Sequence, residues 1–127
     1  MSRIQKAFEN KKAFIAFLTA GDPSLDKTEE YILEMERAGA DLIEIGIPFS
    51  DPIAEGLVIQ EADIRALSGG VTTDDIFDMV KKLREKTEIP LVFMTYLNPV
   101  FHYGYEAFFE RCQDVGTVSY THLTLPT

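Results

Sequence analysis

Three short apolar runs, separated by segments of helical pattern, constrain the fold of this chain more than any other feature. The runs are residues 13–19, 41–46 and 91–96. Each has the length of a strand and is nearly continuous in apolar residues, which is typical of strands buried on both faces. Alternation of such strands with helices predicts a parallel sheet joined by right-handed crossovers. We therefore expect an α/β fold.

The segments between the runs carry helix signals. Ser2 and Gln5 form a capping box, Thr72 and Asp75 form a second capping signal, and Gly39 and Gly116 end helices. Asn98 and Pro99 are predicted to turn the chain, and His102 is predicted to lie in a loop. Helices are predicted to follow Ser2, over Asp26–Ala38 (with Tyr31, Met35 and Ala38 at helical spacing), Val58–Leu67 and Glu106–Val115, and from Thr72. The residues expected to face inward are Ile4, Ala7, Phe8, Ile76, Val80, Leu83, Phe108, Phe109 and Cys112.

Composition excludes several classes of function. Twelve basic and twenty-one acidic residues give a net charge of −9, which repels nucleic acid and anionic membranes. The acidic residues are scattered along helical segments, and we interpret them as a solvated outer face. No apolar stretch is long enough to span a bilayer, and the N-terminus lacks a signal-peptide core. With a single cysteine, Cys112, no internal disulfide is possible, so we expect a cytoplasmic protein.

Glu44 is the residue whose position best indicates chemistry. It lies within an otherwise apolar strand, and period-two alternation places it on the face of Leu42 and Gly46, opposite Ile43 and Ile45. A carboxylate there must be paired, hydrogen-bonded or neutral, and desolvation raises its proton affinity toward the range of general acid–base catalysis. A structural carboxylate fixed by backbone amides or an arginine is the alternative.

A second group of candidates follows the strands. Glu55 lies in the loop after the Glu44 strand, and Phe17 and Tyr96 lie near the ends of the first and third strands. In a closed barrel the loops after the strands form the active-site face, so these residues could converge there. Core packing is the alternative for both aromatic residues, and the Tyr96 hydroxyl would need a partner. No G-x-G-x-x-G follows the first strand, which disfavours a dinucleotide-binding open sheet, and we find no metal site.

The last eleven residues, 117–127, break these patterns. They contain no Lys, Arg, Asp or Glu, and no helical stripe. A strand is due here, and Leu123 and Leu125 could alternate in a poor fourth strand. We prefer another interpretation, because residues 118–127 back-translate to DNA resembling a transposase adapter for sequencing libraries. The natural domain would then span residues 1–116, and Tyr120, Thr121 and His122 would have no functional role.

Taken together, the motifs resemble those of the tryptophan synthase alpha chain. They are Phe17–Pro23, Glu44–Pro52, Gly56-x-x-Ile-Gln60 and Tyr96-x-Asn-Pro-Val-Phe101. The resemblance covers residues 1–116 in order and without gaps. It implies a (β/α)8 TIM barrel truncated to about its first three βα units.

The resemblance also implies a carbon–carbon lyase of tryptophan biosynthesis, which cleaves indole-3-glycerol phosphate to indole and glyceraldehyde 3-phosphate. It implies no cofactor in the alpha chain, and a beta-subunit partner that carries pyridoxal phosphate. Glu44 matches the general acid–base. Glu55 stands where the family has an aspartate that accepts the ring N–H, and Leu57 where it often has proline. Phe17 and Tyr96 match the indole pocket, while Pro48, Asp51 and Asn98 match the surface that meets the beta subunit.

Two further classes of function stay open. One is a non-catalytic module that binds and regulates a partner, and the other is a different phosphate-handling barrel enzyme. A barrel needs roughly 250 residues to close, and an incomplete one leaves an open hydrophobic edge. We therefore expect residues 1–127 alone to be inactive and to aggregate or stay partly folded.

Overall fold

The computed structural model describes residues 2–122, with side chains described for residues 2–117. Its strands and helices alternate as the sequence predicts, including the two helices of the second crossover, and the third crossover has an additional short helix that was not predicted. In chain order the elements are α1 (Arg3–Ala7), β1 (Ile15–Thr19), α2 (Leu25–Arg37), β2 (Leu42–Gly46), α3 (Leu57–Ser68), α4 (Thr73–Leu83), β3 (Leu91–Tyr96), α5 (Leu97–Tyr103), α6 (Tyr105–Val115) and β4 (Val118–His122).

The described strands form one parallel sheet in the order β1-β2-β3-β4. Each strand therefore pairs with its neighbour in the chain, as in a β/α barrel and unlike a doubly wound sheet, where the order reverses. β4 takes the position of the poor fourth strand, through backbone pairing of Val118 with Val92 and of His122 with Tyr96. Leu123 and Leu125, which were considered for that strand, lie outside the described residues.

The hydrophobic core lies between the sheet and its helices. Ile43, Ile45 and Phe93 are fully buried on one face of the sheet, against Phe77 of α4 and Phe108 of α6. The Phe77 ring meets Phe93 edge-on at 5.4 Å and Phe108 at the same centroid distance. Such T-shaped pairs add to the free energy gained by burial. We call this side of the sheet the helix-covered face.

The opposite side of the sheet carries Phe17, Glu44, Val92 and Met94, which are half-buried, and Leu42 and Gly46, which are buried. We call it the open face, because no layer packs on it within the described residues. The prediction of strands buried on both faces is therefore wrong for β1, where Ile15 is 42% exposed. In a closed barrel this side would face the interior, which is filled by side chains from every strand.

Several helix predictions are confirmed. The capping boxes at Ser2 and Thr72 both form, and Gly116 ends α6 with a φ of 70° in the left-handed region. The stripe of Ile76, Val80 and Leu83 is buried, as predicted.

Other predictions of inward-facing residues are wrong. Phe8 is 48% exposed because α1 ends at Ala7, and Phe109 is 50% exposed because the neighbouring Phe108 takes the inward position.

Residues 97–103 form α5 where a turn was predicted. Proline is compatible with the first turn of a helix, since the N–H it lacks has no intrahelical partner there.

Candidate active site

Glu44 lies in the middle of β2 on the open face. In the parallel register it stands beside Phe17 of β1 and Val92 of β3. Its side chain is half-buried, and among the described residues it accepts no hydrogen bond and forms no ion pair. The alternative that an arginine or backbone amides fix this carboxylate is therefore not supported. A half-buried carboxylate with no fixed partner remains able to exchange a proton with a ligand.

Phe17 and Gly46 shape the surface beside Glu44. A Cβ atom added at Gly46 would lie 2.8 Å from Phe17 Cζ, which is too close for any real contact. Only glycine therefore lets the Phe17 ring lie across β2. The result is an aromatic ring packed next to the carboxylate.

Tyr96, at the carboxyl end of β3, fixes the loop that follows β2. Its hydroxyl accepts hydrogen bonds from the backbone N–H groups of Ile53 (3.2 Å) and Ala54 (2.9 Å). These are the partners that a buried tyrosine hydroxyl was predicted to need, and the residue is 7% exposed. The Phe49 ring packs on Tyr96 at 5.4 Å. The loop is thereby held over the same end of the sheet.

Glu55 follows this anchored stretch directly. Its backbone carbonyl accepts a hydrogen bond from Gln60 Nε2 at 2.8 Å, which joins the loop to the first turns of α3. The side chain is half-buried, and Glu55 Oε2 is a fully buried oxygen without a hydrogen-bond partner among the described residues.

Asp63 of α3 is the acidic residue that the sequence analysis missed. It is 3% exposed, against the expectation that the helical acidic residues form a solvated outer face. Burial, followed by the negative charge of Glu55, raises the pKa of Asp63 to about 7. The available signal was its position one residue after Ala62 and three before Ala66, which are both buried. A carboxylate inside an alanine stripe of this kind is not on the solvated side of a helix.

The remaining predicted residues lie at different depths. Pro48 is buried, whereas Asp51 and Asn98 are exposed, with Asn98 in the first turn of α5. The Asp51 carboxylate accepts a hydrogen bond from Ser50 Oγ at 2.7 Å. His102 is exposed in α5 rather than in the predicted loop.

Two features lie away from the candidate site. Cys112 is 3% exposed in the core, as predicted, and burial raises the pKa of its thiol to about 12. A cavity of about 620 Å³ lies at the amino ends of the strands and includes none of the candidate residues. Two ion pairs, Arg3 with Glu88 and Lys11 with Asp41, join charged side chains of its lining.

Comparisons with known proteins agree with this geometry. The family model described as tryptophan synthase alpha chain matches residues 4–126. The alpha chain of Alkaliphilus metalliredigens is 57% identical over 107 residues, which are 84% of this chain and 40% of that protein. The alpha chain of Lacticaseibacillus casei is 46% identical over 99% of this chain and 47% of that protein. The chain thus spans about half the length of the curated relatives it matches.

Solved structures give the same result. A tryptophan synthase alpha subunit from Legionella pneumophila superposes with a TM-score of 0.88 at 41% identity, over 92% of this chain and 47% of that one. The tryptophan synthase complex from Pyrococcus furiosus contains a chain that matches with a TM-score of 0.79 at 40% identity, over 84% of this chain and 44% of that one.

Strand order, the helix-covered face and the superposition on solved structures define the class as a β/α-barrel protein, of which this chain forms the first βα units. None of the described helices is long and apolar enough to cross a membrane. Within the barrel class, the chain belongs to the tryptophan synthase alpha chain family.

Proposed function

We propose that the whole protein to which this chain belongs is the alpha subunit of tryptophan synthase, a lyase that cleaves indole-3-glycerol phosphate to indole and glyceraldehyde 3-phosphate. The observation that carries the proposal is Glu44, half-buried on the open face beside Phe17 and bound to no other side chain in the described residues. A binding module would have no need for an unpaired carboxylate among the apolar residues of a strand, because its desolvation costs free energy.

The proposed reaction assigns a separate role to each carboxylate. Cleavage needs a proton on the indole carbon that bears the glycerol chain, and a side-chain hydroxyl must lose its proton. Glu44 is the group that transfers these protons. The ring nitrogen develops positive charge in the transition state, and Glu55 accepts its N–H and stabilises that charge. Phe17 and Tyr96 line the indole pocket, where the apolar wall excludes water and strengthens both interactions.

The test of the proposal is a lyase assay on the full-length protein with indole-3-glycerol phosphate. Replacing Glu44 by Gln keeps the shape of the side chain but removes its proton transfer, so kcat should fall by about 10²- to 10⁴-fold. The matched control is Glu110→Gln, which removes an exposed carboxylate of α6 and should leave kcat unchanged. Equal activity of the two variants would contradict the assigned role of Glu44.

A beta subunit that carries pyridoxal phosphate is the proposed partner, and Pro48, Asp51 and Asn98 are its proposed contacts. The exposure of Asp51 and Asn98 supports this assignment. Pro48 is buried, so its proposed role is limited to shaping the loop. Adding beta subunit should raise lyase activity, and Asp51→Ala together with Asn98→Ala should weaken the association. Association without any cleavage of indole-3-glycerol phosphate would instead indicate a non-catalytic binding module.

Residues 1–127 by themselves are proposed to be inactive, since the open face of their sheet would have to be covered to form a pocket. Indole release by this chain above that of its Glu44→Gln variant would contradict this.

A cytoplasmic location is also proposed, and the buried free thiol of Cys112 is compatible with a reducing compartment. Cell fractionation tests it.

For residues 117–127 the proposed origin is translated adapter DNA rather than the natural gene. Their lack of charged residues and the back-translation support it. The pairing of β4 with β3 is compatible with this origin, because ladder hydrogen bonds use backbone atoms that any sequence except proline supplies. Sequencing of the encoding DNA decides between the two origins. Adapter codons after codon 116 support the proposal, and a different codon choice contradicts it.

A further inference from the structure

The carboxyl groups of Glu55 and Asp63 are close enough to hydrogen-bond to each other when one of them carries a proton. Asp63 is 3% exposed, and Glu55 Oε2 is buried without a hydrogen-bond donor among the described residues. Two ionised carboxylates are both acceptors, so neither can satisfy the other. A buried carboxylate oxygen beside a second acid gains a partner only when one of the two groups carries a proton, as in other carboxyl pairs.

The surroundings identify Asp63 as the group that holds the proton. Its burial and the adjacent charge of Glu55 both favour the neutral acid, and a hydrogen bond from the Phe49 backbone N–H only partly opposes them. These influences raise the pKa of Asp63 to about 7. At neutral pH a large fraction of Asp63 is therefore protonated and can donate to Glu55.

In the part of the chain whose side chains are described, no cation contributes to the ionisation of Asp63. Arg65, two residues further along α3, makes a two-pronged ion pair with Asp22 of the β1–α2 loop, with both N–O distances at 2.9 Å. In the loop before α3, the Asp51 carboxylate accepts a hydrogen bond from Ser50 and has no resolved influence on Asp63. Glu61, also on α3, is exposed and carries the same sign of charge as Glu55.

We propose that Asp63 is a positioning residue whose protonated carboxyl donates a hydrogen bond to Glu55 Oε2 and so holds the other oxygen of Glu55 toward the substrate. This inference rests on the proposed function, in which Glu55 accepts the indole N–H. It explains how the longer glutamate side chain is placed. The Tyr96 hydroxyl and Gln60 fix the backbone on either side of Glu55, but neither restrains its side-chain torsions. The hydrogen bond from Asp63 does.

The shared proton is tested without any activity measurement, by a carbon-13 NMR titration of the side-chain carboxyls in the full-length protein. Asp63 should titrate near pH 7. Glu55→Gln leaves Asp63 unchanged but removes the adjacent charge, so the midpoint should fall by about one pH unit or more. Titration of Asp63 near the ordinary aspartate value of about 4 would overturn the proposal, whether or not the protein shows lyase activity. This measurement also remains valid if variants at position 63 fail to fold.

The positioning role is tested by steady-state kinetics from pH 6 to 9. Asp63→Ala removes the donor and should lower kcat/KM about tenfold, the value of one hydrogen bond. Asp63→Asn keeps an N–H donor that does not titrate, so it should retain most activity without the decline above pH 7 that we expect for the wild type. The matched control, Glu61→Gln, removes a neighbouring exposed carboxylate and should keep the wild-type rate and pH profile.

The two proposals fail in different ways. If Asp63→Ala, Asp63→Asn and Glu61→Gln all share the wild-type profile of an active lyase, the positioning role is overturned and the proposed function stands. If Asp63 titrates near pH 7 but the full-length protein does not cleave indole-3-glycerol phosphate, the proposed function is overturned and the shared proton stands.

Discussion

The two faces of the sheet differ in what they need from the rest of the protein. On the helix-covered face, Ile43, Ile45 and Phe93 are fully buried by helices that belong to the same βα units. On the open face, Phe17, Glu44 and Met94 remain half-buried. Each βα unit thus completes its own outer core layer, whereas the inner layer requires strands from the whole barrel.

The difference also separates stability from chemistry. The helix-covered face is apolar, and its aromatic cluster gains free energy from burial and ring contacts. The open face carries the unpaired carboxylate of Glu44, which contributes no such gain. We therefore expect substitutions on one face to affect mainly the free energy of unfolding, and substitutions on the other to affect mainly catalysis.

The largest expected effect on stability is that of Phe93→Ala in the full-length protein. Removing a fully buried ring from the contacts with Phe77 and Phe108 should lower the free energy of unfolding by about 3–5 kcal/mol. Urea unfolding measures this. The matched control is Phe17→Ala on the open face, which should cost less stability but raise KM. Equal losses of stability would mean that the two faces do not differ in the complete protein.

Gly46→Ala should have the next largest effect. The added Cβ atom would lie 2.8 Å from Phe17 Cζ, so the ring must move. Such overpacking costs about 1–3 kcal/mol, and displacement of the pocket wall should raise KM. The double variant Gly46→Ala with Phe17→Leu should recover most of the stability, as measured by thermal unfolding. A double variant no more stable than Gly46→Ala would show that the methyl group clashes elsewhere.

The sequence predicts which residues are buried on the helix-covered face better than it predicts burial in α2 and around Glu55. Strand β3 and the stripe of α4 are recovered because apolar periodicity reports directly on burial. Periodicity fails in α2, where Tyr31 is 40% exposed, while Thr28 and Glu29 are buried. Thr28 accepts a hydrogen bond from the Gly21 N–H, and Glu29 pairs with Lys86 at 2.6 Å. Gly21 lies in the preceding loop and Lys86 is 57 residues from Glu29, so helical periodicity could not reveal either partner.

The same limit applies to the candidate site. Glu44 is identified from the sequence because a charged residue interrupts an apolar strand. Asp63 is missed because a single acid in an amphipathic helix is ordinarily solvated, and its burial depends on the path of the loop through Phe49 and Glu55. That path is fixed by Tyr96, more than 40 residues further along the chain.

Tyr96→Phe should produce a smaller effect, confined to this loop. The variant keeps the ring packed on Phe49 but removes the acceptor of the Ile53 and Ala54 N–H groups. Loss of these hydrogen bonds should cost about 1–2 kcal/mol locally, so amide hydrogen exchange at both residues should accelerate about tenfold. The exposed Tyr105 gives a matched control, since Tyr105→Phe should leave exchange in the loop unchanged. Unchanged exchange in Tyr96→Phe would show that other contacts fix the loop.

The smallest expected effect on stability concerns the partly exposed ion pair between Asp22, in the β1–α2 loop, and Arg65 of α3. The Arg65 guanidinium holds the pKa of Asp22 below its ordinary value of 3.8. A depressed folded-state pKa stabilises the protein above the unfolded-state pKa, and this contribution is lost as pH falls through the folded-state value. Asp22→Asn should therefore cost about 0.2–1 kcal/mol at pH 7, and the difference from wild type should shrink as pH falls below 3.8 and vanish below the folded-state pKa.

Thermal unfolding of wild type and Asp22→Asn across this pH range measures the contribution of the pair. Glu85→Gln, which removes another exposed carboxylate, should show no comparable dependence on pH. A loss well above 1 kcal/mol at pH 7 would mean that the pair does more than join two exposed side chains. Since Asp22 lies in the β1–α2 loop and Arg65 in α3, the pair would then contribute to holding α3 against that loop.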